Sequence, residues 1–201
     1  MNLREEYAAL SDQEIVNRFQ AGERRVSFTI LIERYQKRIY FSARKMVGGD
    51  HDEADEIAQE TFVKVYEALD SFRGDAKFYT WAYRIMMNAV IYKSRRKKIR
   101  KDVELDDVAE TLESDVPLPD EAMQRKEMTA LIEEAIETLP PKQREVFLFR
   151  FYDEMPYEEI ATILGTSVGG LKANYFHAVK KITEYVQRVG ALDIPILAKA
   201  D

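Results

Sequence analysis

A run of 20 residues, Asp102 to Glu121, interrupts an otherwise regular chain: it carries nine acids and no base, has sparse apolar residues, and includes Pro117 and Pro119. A segment of this kind cannot bury enough apolar surface to offset its own ordering, and it reads as an extended or weakly structured linker. On both sides of it, apolar residues recur at helical spacing, with no alternating strand pattern and no internal repeat. A chain of 201 residues divided this way has room for two small helical domains. The expected fold is all-α, with a first domain over 5–100, an acidic linker over 101–121, a second domain over 122–188 and a tail, 189–201, to which no role is assigned.

The net charge of −6 conceals an uneven distribution. Residues 1–101 carry 20 Lys and Arg against 15 Asp and Glu, whereas residues 122–201 carry 10 against 12. A basic stripe beside an acidic connector is compatible with a nucleic-acid partner in spite of the acidic total. With no cysteine and only His51 and His177, disulfides, thiolate ligands and a histidine zinc site are all excluded, so neither a metal nor a cofactor is expected. No apolar run approaches the roughly 18 residues needed to cross a bilayer, and the N-terminus is charged where a signal peptide is apolar. A cytoplasmic chain without membrane insertion is the expectation.

The helical boundaries follow from local chemistry. Ser11 with Glu14 forms a capping-box pattern ahead of Ile15, Val16 and Phe19, and Gly22 closes that helix. Phe28, Leu31, Ile32, Tyr35 and Ile39 mark the buried face of a longer helix that Gly48 and Gly49 stop. Residues 52–69 begin with acids, which suit a helix N-terminus, and place Ile57, Ala58, Thr61, Phe62, Val65 and Leu69 on one side. A loop over 71–77 leads into a helix from about Phe78 to Arg96. In the second block helices are expected over 122–138, 142–152, 157–164 and about 168–188.

Two constellations carry chemistry. Residues 157–182 read as two helices joined by a tight turn at Gly165, with Ser167 able to cap the second. On that second helix Leu171, Tyr175, Ala178 and Ile182 share one side, while Lys172, Ala173, Phe176, His177 and Lys180 point the other way. Such a face suits phosphate and base-edge contact in a major groove, although a plain amphipathic surface helix has the same periodicity. The second constellation sets Phe72, Phe78, Tyr79, Trp81, Tyr83 and Tyr92 beside Arg73, Lys77 and Arg84, followed by seven bases from Lys93 to Lys101 with no acid. Aromatics interleaved with bases describe a surface that stacks unpaired bases along a phosphate backbone; core packing of the same rings is the alternative.

Three strings in order carry a family resemblance. DEADEIAQETFVKVYEAL looks like the polymerase-docking helix of extracytoplasmic-function (ECF) sigma factors, and DSFRGDAKFYTWAYRIMMN resembles their promoter-melting segment. LPPKQREVFLFRFYDEMPYEEIATILGTSVGGLKANYFHAVKKI is similar to their C-terminal helix-turn-helix domain. The resemblance implies a transcription initiation factor, not an enzyme, whose partners are promoter DNA and RNA polymerase core, through the clamp of its largest subunit and the flap of its second. It also implies an anti-sigma factor as regulator. Asp55, Gln59, Glu60 and Val63 would meet the clamp, which is basic in the family, so an acidic docking face complements it. Phe72, Arg73, Lys77, Phe78, Tyr79, Trp81, Tyr83, Arg84 and Asn88 would recognise and open the −10 element, and Arg150, Lys172, Ala173, Phe176, His177 and Lys180 would read the −35 element. The chain departs from the family at Gly170, usually Thr, at Ala173, usually Ser, and at Asn174 and His177, both usually Arg. Those losses remove bidentate guanine contacts and phosphate charge, so the −35 sequence does not transfer from relatives.

A helix-turn-helix regulator that binds duplex DNA as a dimer shares the C-terminal pattern but has no use for the docking helix or the aromatic and basic stretch. The domain map makes a direct prediction: limited proteolysis should cut first between Asp102 and Asp120, and first cuts within either domain would contradict it.

Overall fold

The computed structural model describes residues 6–7, 9–103 and 120–190. The central part of the acidic linker and the tail beyond residue 190 lie outside the described residues, as do the side chains of Lys98, Arg100 and Lys101. The described residues are helical, with no strand among them, in keeping with the all-α expectation. They divide into two compact units, one formed within 1–96 and 158–166, the other within 97–157 and 167–201.

In the first unit, α1 (Asp12–Gln20) opens on the expected capping box: Ser11 N donates to Glu14 Oε2 at 2.8 Å, and Glu14 N donates back to Ser11 Oγ. It buries Ile15, Val16 and Phe19 against α2 (Arg24–Met46). Arg34 of α2 fastens the entry to α1, donating to Asp12 at 2.8 Å and to the carbonyls of Tyr7 and Leu10 at 2.9 and 2.7 Å. The Tyr35 hydroxyl donates to the same Asp12, and burial together with that carboxylate holds the phenol well above its usual range. Gly48 and Gly49, both with positive φ, end α2 where a side chain would be strained. Asp50 then caps α3 (His51–Ala68) by accepting from Glu53 N at 2.9 Å, and the acids of the first turn suit its positive end.

A 3-10 turn, Leu69–Ser71, and an extended Phe72 lead to α4 (Phe78–Val103). This helix runs past its expected end near Arg96, because the basic run contains good helix formers and no glycine or proline. Tyr35 packs on Phe78 at 5.4 Å between ring centroids, and the Tyr83 hydroxyl donates to the Arg38 carbonyl at 3.4 Å. These contacts hold α4 on α2.

In the second unit, α5 (Asp120–Glu137) and α6 (Pro141–Phe151) both pack on α8 (Val168–Gly190). Pro141 occupies the first position of α6, where its missing N–H costs nothing. The short helix α7 (Tyr157–Leu164), between α6 and α8 in sequence, groups from Glu158 onward with the first unit; it ends at Gly165, whose N–H bonds back to the Ala161 carbonyl at 2.9 Å with φ of 63°. Ser167 caps α8, accepting from Gly170 N at 3.2 Å. Phe147 of α6 is buried between stacked Phe151 and Tyr175 rings, 5.2 and 5.9 Å away. It therefore sets the seat of α8. Phe147→Ala should cost about 3–5 kcal/mol of unfolding free energy in urea denaturation; a loss below about 1 kcal/mol would mean that the ring carries little of the packing.

Candidate docking groove and nucleic-acid interface

Three surfaces stand out, each within one unit. The first is an apolar groove of about 1040 Å³ between α2 and α3, lined by Phe28, Ile32, Phe41, Phe62, Val63 and Tyr66 among others. Its rim is exposed, Phe41 by 52% and Val63 by 57%. Phe28 and Tyr66 of its lining pack with buried Phe19 as a ring cluster, centroids 4.9–6.3 Å apart. Of the residues expected to dock polymerase, Asp55, Gln59 and Val63 line this groove, and Gln59 Nε2 donates to Asp55 at 3.4 Å. Glu60 lies one position beyond and pairs with Lys64 at 2.6 Å. Sequence periodicity assigns Phe28, Ile32 and Phe62 to a closed core; in the structure they are half-buried and face the groove instead. The missed signal is the width of the apolar stripe on α2, where Phe41 joins Phe28 and Ile32 and exceeds what one buried face needs.

The second surface is the loop over 72–77 with the start of α4. Here the expected residues separate by depth. Phe72, Phe78 and Tyr83 are buried, whereas Arg73, Lys77, Arg84 and Asn88 are exposed, with Trp81 and Tyr79 half-buried between them. Trp81 rests on Phe72 at 5.0 Å and on Phe78 at 6.0 Å. Phe72 and Phe78 thus form the bed on which Trp81 is presented. Tyr79 lies under two cations, Arg38 at 5.4 Å and Lys77 at 5.7 Å, a pairing that holds positive charge next to the loop. Lys77 also pairs with Glu159 at 2.8 Å within the first unit. Arg84, Asn88 and Tyr92 continue along the exposed side of α4, and Tyr92 is 56% exposed. Lys93 of the basic run pairs with Glu56 of α3.

The third surface is the outward side of α8. Lys172, Ala173, Phe176, His177 and Lys180 are all outward, as helical spacing requires, and Leu171, Ala178 and Ile182 are buried beneath them. Phe176 is 61% exposed, edge-on to His177 at 5.7 Å. Lys180 reaches Glu184 at 3.8 Å. Sequence reasoning missed Tyr157. Its ring lies 5.4 Å from the Arg150 guanidinium and 5.7 Å from Lys172 Nζ, so one aromatic orients two of the expected DNA-contacting cations. Its spacing from both residues is too long for any periodicity to reveal.

Among the described residues no cluster of His, Cys, Asp or Glu could hold a metal ion, and no helix is long and apolar enough to cross a membrane.

The chain matches the family models for Sigma-70 region 2 over residues 31–100 and for Sigma-70, region 4 over residues 129–182. It is 36% identical over 184 residues to the RNA polymerase sigma-H factor of Pseudomonas aeruginosa, covering 88% of this chain and 94% of that one. It is 35% identical over 187 residues to the ECF RNA polymerase sigma-E factor of Escherichia coli strain K12, covering 89% and 95%. Among solved structures its fold is like that of CnrH in complex with the cytosolic domain of CnrY, with a TM-score of 0.64 and 23% identity over 89% of this chain and 98% of that one. It is also like that of the sigma factor RpoE of Bartonella quintana in complex with the anti-sigma factor NepR, with a TM-score of 0.61 and 22% identity over 80% and 96%. With both regions in order and relatives above 30% identity along nearly their whole length, the chain belongs to the ECF sigma factors, the non-enzymatic initiation factors that direct RNA polymerase to promoters.

Proposed function

We propose that the three surfaces divide the work of initiation. The groove between α2 and α3, with Asp55, Gln59, Glu60 and Val63, docks the clamp of core polymerase. The loop over 72–77 and the exposed side of α4 take up the opened −10 element, with Arg73, Lys77, Arg84 and Asn88 toward the strand and Trp81 offered for stacking. Phe72, Phe78 and Tyr83 support that surface from beneath. The outward side of α8, with Arg150 oriented by Tyr157, reads the −35 element, and the second unit meets the flap. Region boundaries near 5–100 and 122–188, joined by the acidic linker, belong to the same reading. The chain works with polymerase in the cytoplasm, and an anti-sigma factor regulates it, as the partners of the two solved neighbours support.

The observation that carries the docking assignment is the exposed apolar rim, Val63 and Phe41, beside a row of carboxylates on α3. Apolar area left in water on a monomer is stabilised by a partner that covers it, and the flanking acids select a basic one. Glu60→Lys should weaken capture of core polymerase about tenfold or more, with unchanged helical circular dichroism. Unchanged capture would remove α3 from the docking site.

The assignment to strand opening makes a separate prediction. Asn88 is exposed, so Asn88→Ala should change stability by less than about 0.5 kcal/mol. It should slow open-complex formation on duplex promoters and be partly rescued on pre-melted templates. Equal defects on both templates would place Asn88 in another step.

A further inference from the structure

The −10 loop begins where α3 runs out of hydrogen-bond partners. A helix end leaves carbonyls unsatisfied, and the 3-10 turn after Ala68 answers only some of them: Phe72 N bonds to the Leu69 carbonyl at 3.2 Å, and Ser71 Oγ to that of Ala68 at 2.7 Å. The carbonyls of the turn and of the residue after it are also served from another helix. Gln20, the last residue of α1, directs its amide Nε2 at three carbonyls in this stretch: Leu69 at 3.1 Å, Asp70 at 3.4 Å and Phe72 at 3.0 Å. Two neighbours reinforce it. Arg24 Nη2 pairs with Asp70 at 2.6 Å, and Gln13 of α1 lies so close to Gly74 that a Cβ there would come within 2.7 Å of its Oε1. Gly74 also has φ of 79°, so both its conformation and its neighbour require glycine.

The consequence passes through Phe72. Gln20 fixes the carbonyl of the residue whose ring supports Trp81, and the loop beyond it carries Arg73 and Lys77. Gln20 itself is exposed at the surface and contributes little to the core. This surface amide bridges three carbonyls some 50 positions away, so it bears directly on the path of the chain there.

We propose that Gln20 is a positioning residue for −10 recognition: it sets the path of residues 69–72, and through Phe72 the seat of Trp81, so that the loop holds one conformation before DNA arrives. The inference rests on the assignment of this loop to the −10 element and deepens it. A preorganised loop discriminates between bases because the wrong base gains nothing by reshaping it.

The test uses the full chain assembled with bacterial core polymerase. Gln20→Met keeps the volume and removes the donor, and Gln20→Arg restores an N–H donor to the side chain. Holoenzyme is challenged with a single-stranded DNA library carrying a randomised −10 hexamer, and bound species are sequenced. In parallel, the fluorescence of Trp81, the single tryptophan, reports the loop in the free chain. Gln20→Met should lower discrimination at the preferred bases by about five- to tenfold, shift Trp81 emission to the red and leave affinity for core polymerase unchanged. Gln20→Arg should recover most of the discrimination. An unchanged motif with an unchanged Trp81 spectrum in Gln20→Met would overturn the proposal. So would equal losses in both variants accompanied by a fall in thermal stability, which would make Gln20 merely structural. If wild-type holoenzyme enriches no motif at all, the assignment of the loop to the −10 element fails, and the Trp81 spectra still decide whether Gln20 shapes the loop.

Discussion

Leu69 is fully buried at the point where α3 gives way to the 3-10 turn, and α1 and α3 both pack against that turn. Burying a leucine side chain is worth roughly 1.5–3 kcal/mol, enough to hold a loop's first residue in one place but not its successors. Those successors are held instead by polar groups and ring contacts: Gln20 on the carbonyls of the turn, Arg24 on Asp70, and the bed of Phe72 and Phe78 under Trp81. The apolar anchor and the polar frame together allow a loop with exposed cations to keep a defined shape.

The same helix serves two surfaces. On its inner side α3 buries Ala54, Ile57, Ala58, Thr61 and Val65. On its outer side it leaves Val63 and Tyr66 in water beside its carboxylates. An apolar groove of this size lowers solubility unless something covers it, which is consistent with the docking proposed for it. Because α3 runs directly into the turn that begins the loop over 72–77, the proposed docking face and the proposed strand-capture loop are joined through one helix with no linker between them.

Much of this was legible in the sequence. The capping box at Ser11, the glycine stop at 48–49, the Ser167 cap and the outward set Lys172, Ala173, Phe176, His177 and Lys180 follow from periodicity and local hydrogen-bond chemistry, and the structure has each of them. Three motifs in order identified the family. Periodicity failed where one apolar stripe serves two purposes: it could not separate Leu31 and Ile39, which are core, from Phe28 and Ile32, which face the groove. It also merged buried Phe72, Phe78 and Tyr83 with exposed Arg84 and Asn88, because an aromatic seen in sequence carries no sign of depth. Gln20 and Tyr157 were out of reach altogether, since a side chain that serves carbonyls or cations on another element leaves no periodic trace.

The central claim is that α3 presents polymerase with its outer face while the helix after the loop presents DNA with its exposed side. Site-specific photo-crosslinking in a reconstituted holoenzyme on promoter DNA tests it directly, with p-benzoyl-phenylalanine introduced in turn at Val63 and at Arg84. The account predicts that the probe at Val63 couples to the largest polymerase subunit and the probe at Arg84 to the opened −10 strand. A probe at Val63 that couples to DNA, or one at Arg84 that couples only to polymerase, would contradict it.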